Sequence, residues 1–64
     1  MDYPAELTAA FNDNPEFRDA FEALTPGRQR GYMIHFSGAK QAQTREARIA
    51  KYYDAILKGK GMLD

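Results

Sequence analysis

Arg28, Tyr32 and His35 follow one another at intervals of four and three residues. On a helix such residues share one side. Gly31 lies between them and leaves a low spot where another backbone or a ligand can approach. A guanidinium, a hydroxyl and an imidazole on one strip suit the holding of an anion better than the breaking of a bond. Lys40, Arg45 and Arg48 continue the basic series. Arg45 stands apart from the others. At 100° per residue it falls on the same face as Ile49, Tyr52 and Ile56, inside an apolar stripe. A charge there needs partners, because burying it unpaired is very costly. The structural reading makes Arg45 at least half buried. It is then paired with a carboxylate of the first two helices or with carbonyls at a helix end, its stem packed on apolar neighbours. The functional reading makes it the seat of a small bound anion, with Arg28, Arg48 or Lys40 assisting. Arg48 and Lys51 lie further round and read as solvated charges. His35 by itself reads as a surface or capping histidine rather than a ligand.

Catalytic arrangements are missing. A nucleophile needs a base beside it and a third group to orient that base. Ser37 is two residues from His35, so on a helix they point to different sides. The acids of the first half fall at solvent-facing positions and form no working pair. Ser37-Gly38-Ala39-Lys40 has neither the length nor the preceding strand of a phosphate-binding loop. The chain has no cysteine and one histidine, which excludes disulfides, thiolate metal sites and any protein-only multi-histidine site. The reading is a non-enzymatic chain with no cofactor.

One alternative is a nucleic-acid reader. A helix, a glycine corner and a second helix opening with Gln41, Gln43, Thr44, Arg45 and Arg48 match what a helix-turn-helix needs to reach base edges. The pI near 6.6 argues against it, being far below that of a typical DNA-binding domain.

The elements that position these residues are all helical. Tyr3, Leu7, Ala10 and Phe11 recur at helical spacing. Asn14-Pro15 supplies an N-cap and a first-turn proline for a second stripe of Phe17, Ala20, Phe21 and Leu24. Thr25-Pro26 ends that helix and starts the next. The third segment is apolar on most sides through Tyr32, Met33, Ile34 and Phe36, the mark of a central helix. Gly38 would cap it in the left-handed conformation. A longer last helix buries Ile49, Tyr52, Tyr53 and Ile56 until Gly59 stops it, and Lys60–Asp64 reads as a loose tail. No valine and no alternating apolar run occur, so no sheet is expected. The expected fold is all-α: four short helices over about 4–12, 15–24, 26–37 and 41–58, the long last one packed across the others. The core should hold Leu7, Phe11, Phe17, Phe21, Leu24, Met33, Phe36, Ile49, Tyr53 and Ile56.

Sixty-four residues and 7.3 kDa allow one domain, 1–64, with a small core. The net charge is zero, yet residues 1–25 carry six acids and one base while residues 26–64 carry eight bases and three acids. Either the acidic half docks on the basic half, or the basic half shows a positive face to an anion, a nucleic acid or an acidic protein. The opening Met1-Asp2-Tyr3-Pro4 is not a secretion signal, and no run approaches a membrane span. The expected compartment is the cytoplasm.

Ala23-Leu24-Thr25-Pro26-Gly27-Arg28-Gln29-Arg30-Gly31-Tyr32, then His35-Phe36-Ser37-Gly38-Ala39-Lys40-Gln41, together resemble the YdeI/OmpD-associated family. Thr44-Arg45, Arg48-Ile49, Lys51, Ile56-Leu57 and the close Leu57-Lys58-Gly59-Lys60-Gly61 are similar to the rest of its pattern. The resemblance implies a bacterial protein with a bacteriocin-protection label and an envelope association. It also implies a helical module that often sits at the C-terminal end of a longer chain, beside an α/β domain. It carries over no catalytic residue. Residues and resemblance together point to an interaction module. It would offer Arg28, Tyr32, His35, Lys40, Arg45 and Arg48 to an acidic protein, a neighbouring α/β domain or a small anion.

Overall fold

The computed structural model describes residues 2–64; Met1 lies outside them. The element order is α1 (Ala5–Asp13), α2 (Pro15–Ala23), α3 (Pro26–Ser37) and α4 (Ala42–Leu57), with no strand among the described residues. Asn14 caps α2 by accepting the Glu16 amide at 3.0 Å, and Pro15 opens that helix. Thr25 accepts the Arg28 amide at 3.3 Å and Pro26 opens α3. Gln29 ties the two together by donating to the carbonyls of Glu22 and Leu24.

The core follows the stripes. Leu7, Phe11, Phe17, Phe21, Leu24, Tyr32, Met33, Phe36, Ile49 and Ile56 form one buried cluster. Phe11 stands 5.5 Å from Phe17 and 5.4 Å from Phe21, ring centre to ring centre. Tyr3 meets Phe11 and Phe21 edge-on. Tyr53 is only half-buried, because its ring stacks on Phe17 at 4.3 Å while its hydroxyl reaches out to accept from Asn14. Tyr52 is likewise half-buried.

Three expectations give way. The helix α3 is not central: Ile34 is 63% exposed, and α4 is the element that touches all the others. Gly38 closes α3 with φ −69°, in right-handed geometry. Its role is spatial, since a Cβ there would come within 3.1 Å of the Ile34 carbonyl oxygen. The left-handed glycine is Gly59, φ +75°. Around it the Lys60 amide donates to the Ala55 carbonyl and the Gly59 amide to that of Ile56, the paired bonds of a Schellman closure. This closure turns the chain back, so Lys60–Asp64 folds over α3 and is no loose tail.

Candidate functional site

Arg45 leaves the first turn of α4 and points inward. Its Nε donates to Glu6 Oε1 at 2.6 Å and its Nη2 to Oε2 at 3.2 Å. Its Nη1 donates to the carbonyls of Ala39 and Lys40 at 3.0 and 3.2 Å. The side chains are 24% and 12% exposed for Arg45 and Glu6. Both partners named by the structural reading are therefore present: a carboxylate of α1 and carbonyls at the α3–α4 corner. The Arg45 hydrogen bond holds the Glu6 carboxyl below its usual range, and Glu6 in turn raises the guanidinium. Glu6 corrects the expectation that every acid of the first two helices faces solvent. Arg45 pins the bundle; four of its five N–H groups are taken, so it is poorly placed to seize an anion.

Tyr32 is also withdrawn from the surface. It is fully buried against Phe36 and Tyr52, and its hydroxyl donates to the Lys60 carbonyl at 2.7 Å. Burial raises its pKa. The low spot at Gly31 is occupied by Met62. Beside it Arg28 Nη2 meets Asp64 Oδ2 at 2.9 Å, with side chains 42% and 40% exposed. Asp64 also accepts the Gly61 amide at 3.0 Å, which lowers its pKa first, with Arg28 adding to the effect.

What stays open is a second cationic strip. Arg48 Nη1 donates to the His35 carbonyl at 2.6 Å, capping the end of α3. This role was missed in the sequence because Arg48 is thirteen residues from the carbonyl it serves. Tyr52 stands edge-on to His35 at 5.5 Å, and Lys51 lies 5.6 Å from the Tyr52 ring centre. Burial lowers the His35 pKa, and the charges of Arg48 and Lys51 lower it further, so the imidazole is neutral near pH 7. Lys51 was not singled out, though its place three residues after Arg48 signals a shared face. Lys40 is exposed at the corner, as are Gln41, Gln43 and Thr44. Of the six residues picked from the sequence, the fold thus groups His35 and Arg48, sets Lys40 at the neighbouring corner, and ties Arg28 to Asp64. Tyr32 and Arg45 serve the scaffold. The expected docking of acidic half on basic half comes down to one ion pair across the halves among the described residues, Glu6–Arg45.

Among the described residues no group of three or more metal-binding side chains comes together. No helix among the described residues is long and apolar enough to cross a membrane. Fold and surface together define a small all-helical module with a charged strip. The chain belongs to the bacteriocin-protection, YdeI or OmpD-associated family, whose model matches residues 1–59. It is 53% identical over all 64 residues to the uncharacterized protein YdeI of Bacillus subtilis (strain 168). The chain spans about a third of that relative's length. No solved structure matches it.

Proposed function

We propose that this chain is a non-enzymatic interaction module that receives an acidic surface on the strip formed by His35, Arg48, Lys51 and Tyr52, with Lys40 at its margin. The observation that carries the reading is the charge state of that strip. Among the described residues Arg18, Arg28 and Arg45 each have a carboxylate, while Arg30, Lys40, Arg48, Lys51, Lys58 and Lys60 stand in no ion pair; of these, Arg48 and Lys51 are gathered about His35 and Tyr52. Cations left uncompensated side by side attract an acidic partner and set its orientation. The relative that this chain matches is about three times as long, which supports a neighbouring domain as one such partner.

The test is a ¹H–¹⁵N titration with a poly-glutamate peptide. Shifts should concentrate on His35, Arg48, Lys51 and Tyr52. Arg48→Gln with Lys51→Gln should abolish them while the bundle still melts cooperatively. Random duplex DNA is the contrasting probe. If duplex binds tightly through residues 41–48 with a steep salt dependence, and poly-glutamate does not bind, the proposal fails in favour of the helix-turn-helix reading.

A further inference from the structure

The segment 60–64 lies on α3 through three different kinds of contact. A backbone carbonyl, that of Lys60, accepts the Tyr32 hydroxyl. An apolar side chain, that of Met62, rests over Gly31. A carboxylate, that of Asp64, takes the Arg28 guanidinium. On α3 the three receiving groups stand at 28, 31 and 32, within one helical turn. They offer a cation, a bare floor and a buried hydroxyl donor, which together read a short peptide turn with an acid two residues after an apolar side chain. The turn is closed here by the Asp64 amide on the Gly61 carbonyl and the Gly61 amide on the Asp64 carboxylate. The fit of segment 60–64 is uneven: Gly61 is buried tightly against Arg28, where a Cβ would come within 3.1 Å of Cγ, and the rest is looser. An open groove of about 240 Å³ runs between Gly27, Arg28 and Gly31 on one side and Met62, Leu63 and Asp64 on the other. Leu63, at its edge, is 100% exposed. Both members of the ion pair are near half exposed, so water competes for that contact. Elsewhere, among the described residues, no buried side-chain polar atom is unpaired and the largest core side chains are fully covered.

We propose that Arg28, Gly31 and Tyr32 form a peptide-binding notch that residues 60–64 occupy in cis, and that the notch accepts in trans a short acidic segment folded in the same turn, with an apolar residue two places before its carboxylate. This rests on the reading of the module as a receiver of acidic partners, and it names the partner's local chemistry and what holds the site closed. An internal occupant lowers the affinity for an external one by the fraction of time the site is free. Loosening the segment should therefore strengthen binding, the reverse of what loss of a merely structural contact does.

The probe is the free pentapeptide Lys-Gly-Met-Leu-Asp, blocked at both ends, followed by ¹H–¹⁵N shifts on the full chain. Asp64→Asn removes the charge that closes the segment and leaves the core intact. It should bind the probe at least about fivefold more tightly than the unaltered chain, with shifts at Gly27, Gly31 and Arg28. Met62→Ser should act in the same direction. A probe with asparagine in place of its aspartate should bind more weakly to each. Equal affinity of the unaltered chain and both variants, or shifts away from α3, overturns the notch. The poly-glutamate titration with Arg48→Gln and Lys51→Gln keeps the two readings separate. If those changes leave poly-glutamate binding untouched while the pentapeptide binds at Gly31, the cationic strip falls and the notch stands. If they abolish it while the pentapeptide does not bind, the notch alone falls.

Discussion

The guanidinium of Arg45 and the carboxylate of Glu6, thirty-nine residues apart, meet through two hydrogen bonds while the same guanidinium holds two carbonyls of the α3–α4 corner. One side chain therefore fixes the start of α1, the end of the α3–α4 connection and the start of α4. Arg45→Ala should lower the melting temperature more than any other arginine-to-alanine change. Arg45→Lys should restore little, since an ammonium cannot reproduce the planar fork. Glu6→Gln in the Arg45→Ala background should add almost nothing, because the two act as a unit. Lys51→Ala, on the exposed side, should stay within about 0.5 kcal/mol. Equal melting points for Arg45→Ala and Lys51→Ala would refute the pinning role.

Arg48 occupies the ground between. Its bond to the His35 carbonyl is a charged contact at the end of a helix, where cations are favoured. Arg48→Ala should cost about 1 kcal/mol, part of it from that helix end. In calorimetry this is a fall of roughly 4–8 °C for a domain of this size. A loss below the Lys51→Ala value would mean the bond contributes nothing.

Acid should weaken the fold in two stages. His35 is held below its ordinary value of 6.5 by burial first, then by Arg48 and Lys51. Its unfolded form takes up a proton before the folded form does, so stability falls as pH drops below about 6.5 toward the folded value. His35→Gln should flatten that stretch. Glu6 and Asp64 are held below their ordinary 4.5 and 3.8. Their contribution is full above those values and is lost as pH falls through the lower folded ones. Glu6→Gln should flatten only this second stage. Chemical denaturation at closely spaced pH values separates the two, and a His35→Gln curve that follows the unaltered protein between pH 7 and 5 would remove the first.

Tyr32→Phe removes the donor to the Lys60 carbonyl and nothing else from the core. The loss should be about 1 kcal/mol. Amide exchange should quicken at Gly61 and Asp64, whose turn depends on the segment staying down, and not at Phe21 or Ile49. Uniform acceleration across the chain would show that the hydroxyl serves global stability alone.

Phe21→Ala should be the harsher test. Phe21 is fully buried and packed on Tyr3, Phe11 and Tyr32. Removing a buried phenyl ring costs about 3–5 kcal/mol. A core in a chain this short rarely supplies more than about that amount, so the variant should show little helical circular dichroism at 25 °C. A folded Phe21→Ala would mean that the stability is held elsewhere.

The helices could be read from Asn14-Pro15, Thr25-Pro26 and the apolar spacing because caps and stripes are local properties. Arg45 could be read because its angle among Ile49, Tyr52 and Ile56 forces it inward, and a buried guanidinium must be paired. Its partner was not legible, since nothing local marks Glu6 apart from the other acids. Tyr32 went astray for a related reason. Its spacing from Arg28 and His35 is that of a surface strip, but α3 turns the ring inward and leaves Ile34 outside. The return of residues 60–64 depends on a Schellman closure at Gly59 and on a floor at Gly31, two glycines far apart in sequence. The bond from Arg48 to the His35 carbonyl is set by how α4 crosses α3, a tertiary relation that periodicity does not encode.

The crossing of α4 over the other three helices bears on how the chain is made. Residues 1–41 leave the ribosome before α4 does, and without it Phe17 has no Tyr53 to stack on and Glu6 no Arg45 to hold. Contacts that join the two ends of a sequence are slow to form compared with those inside a helix. The first three helices therefore emerge with their apolar faces uncovered, exposed to proteases and to chaperones. The module closes only once α4 has been synthesised.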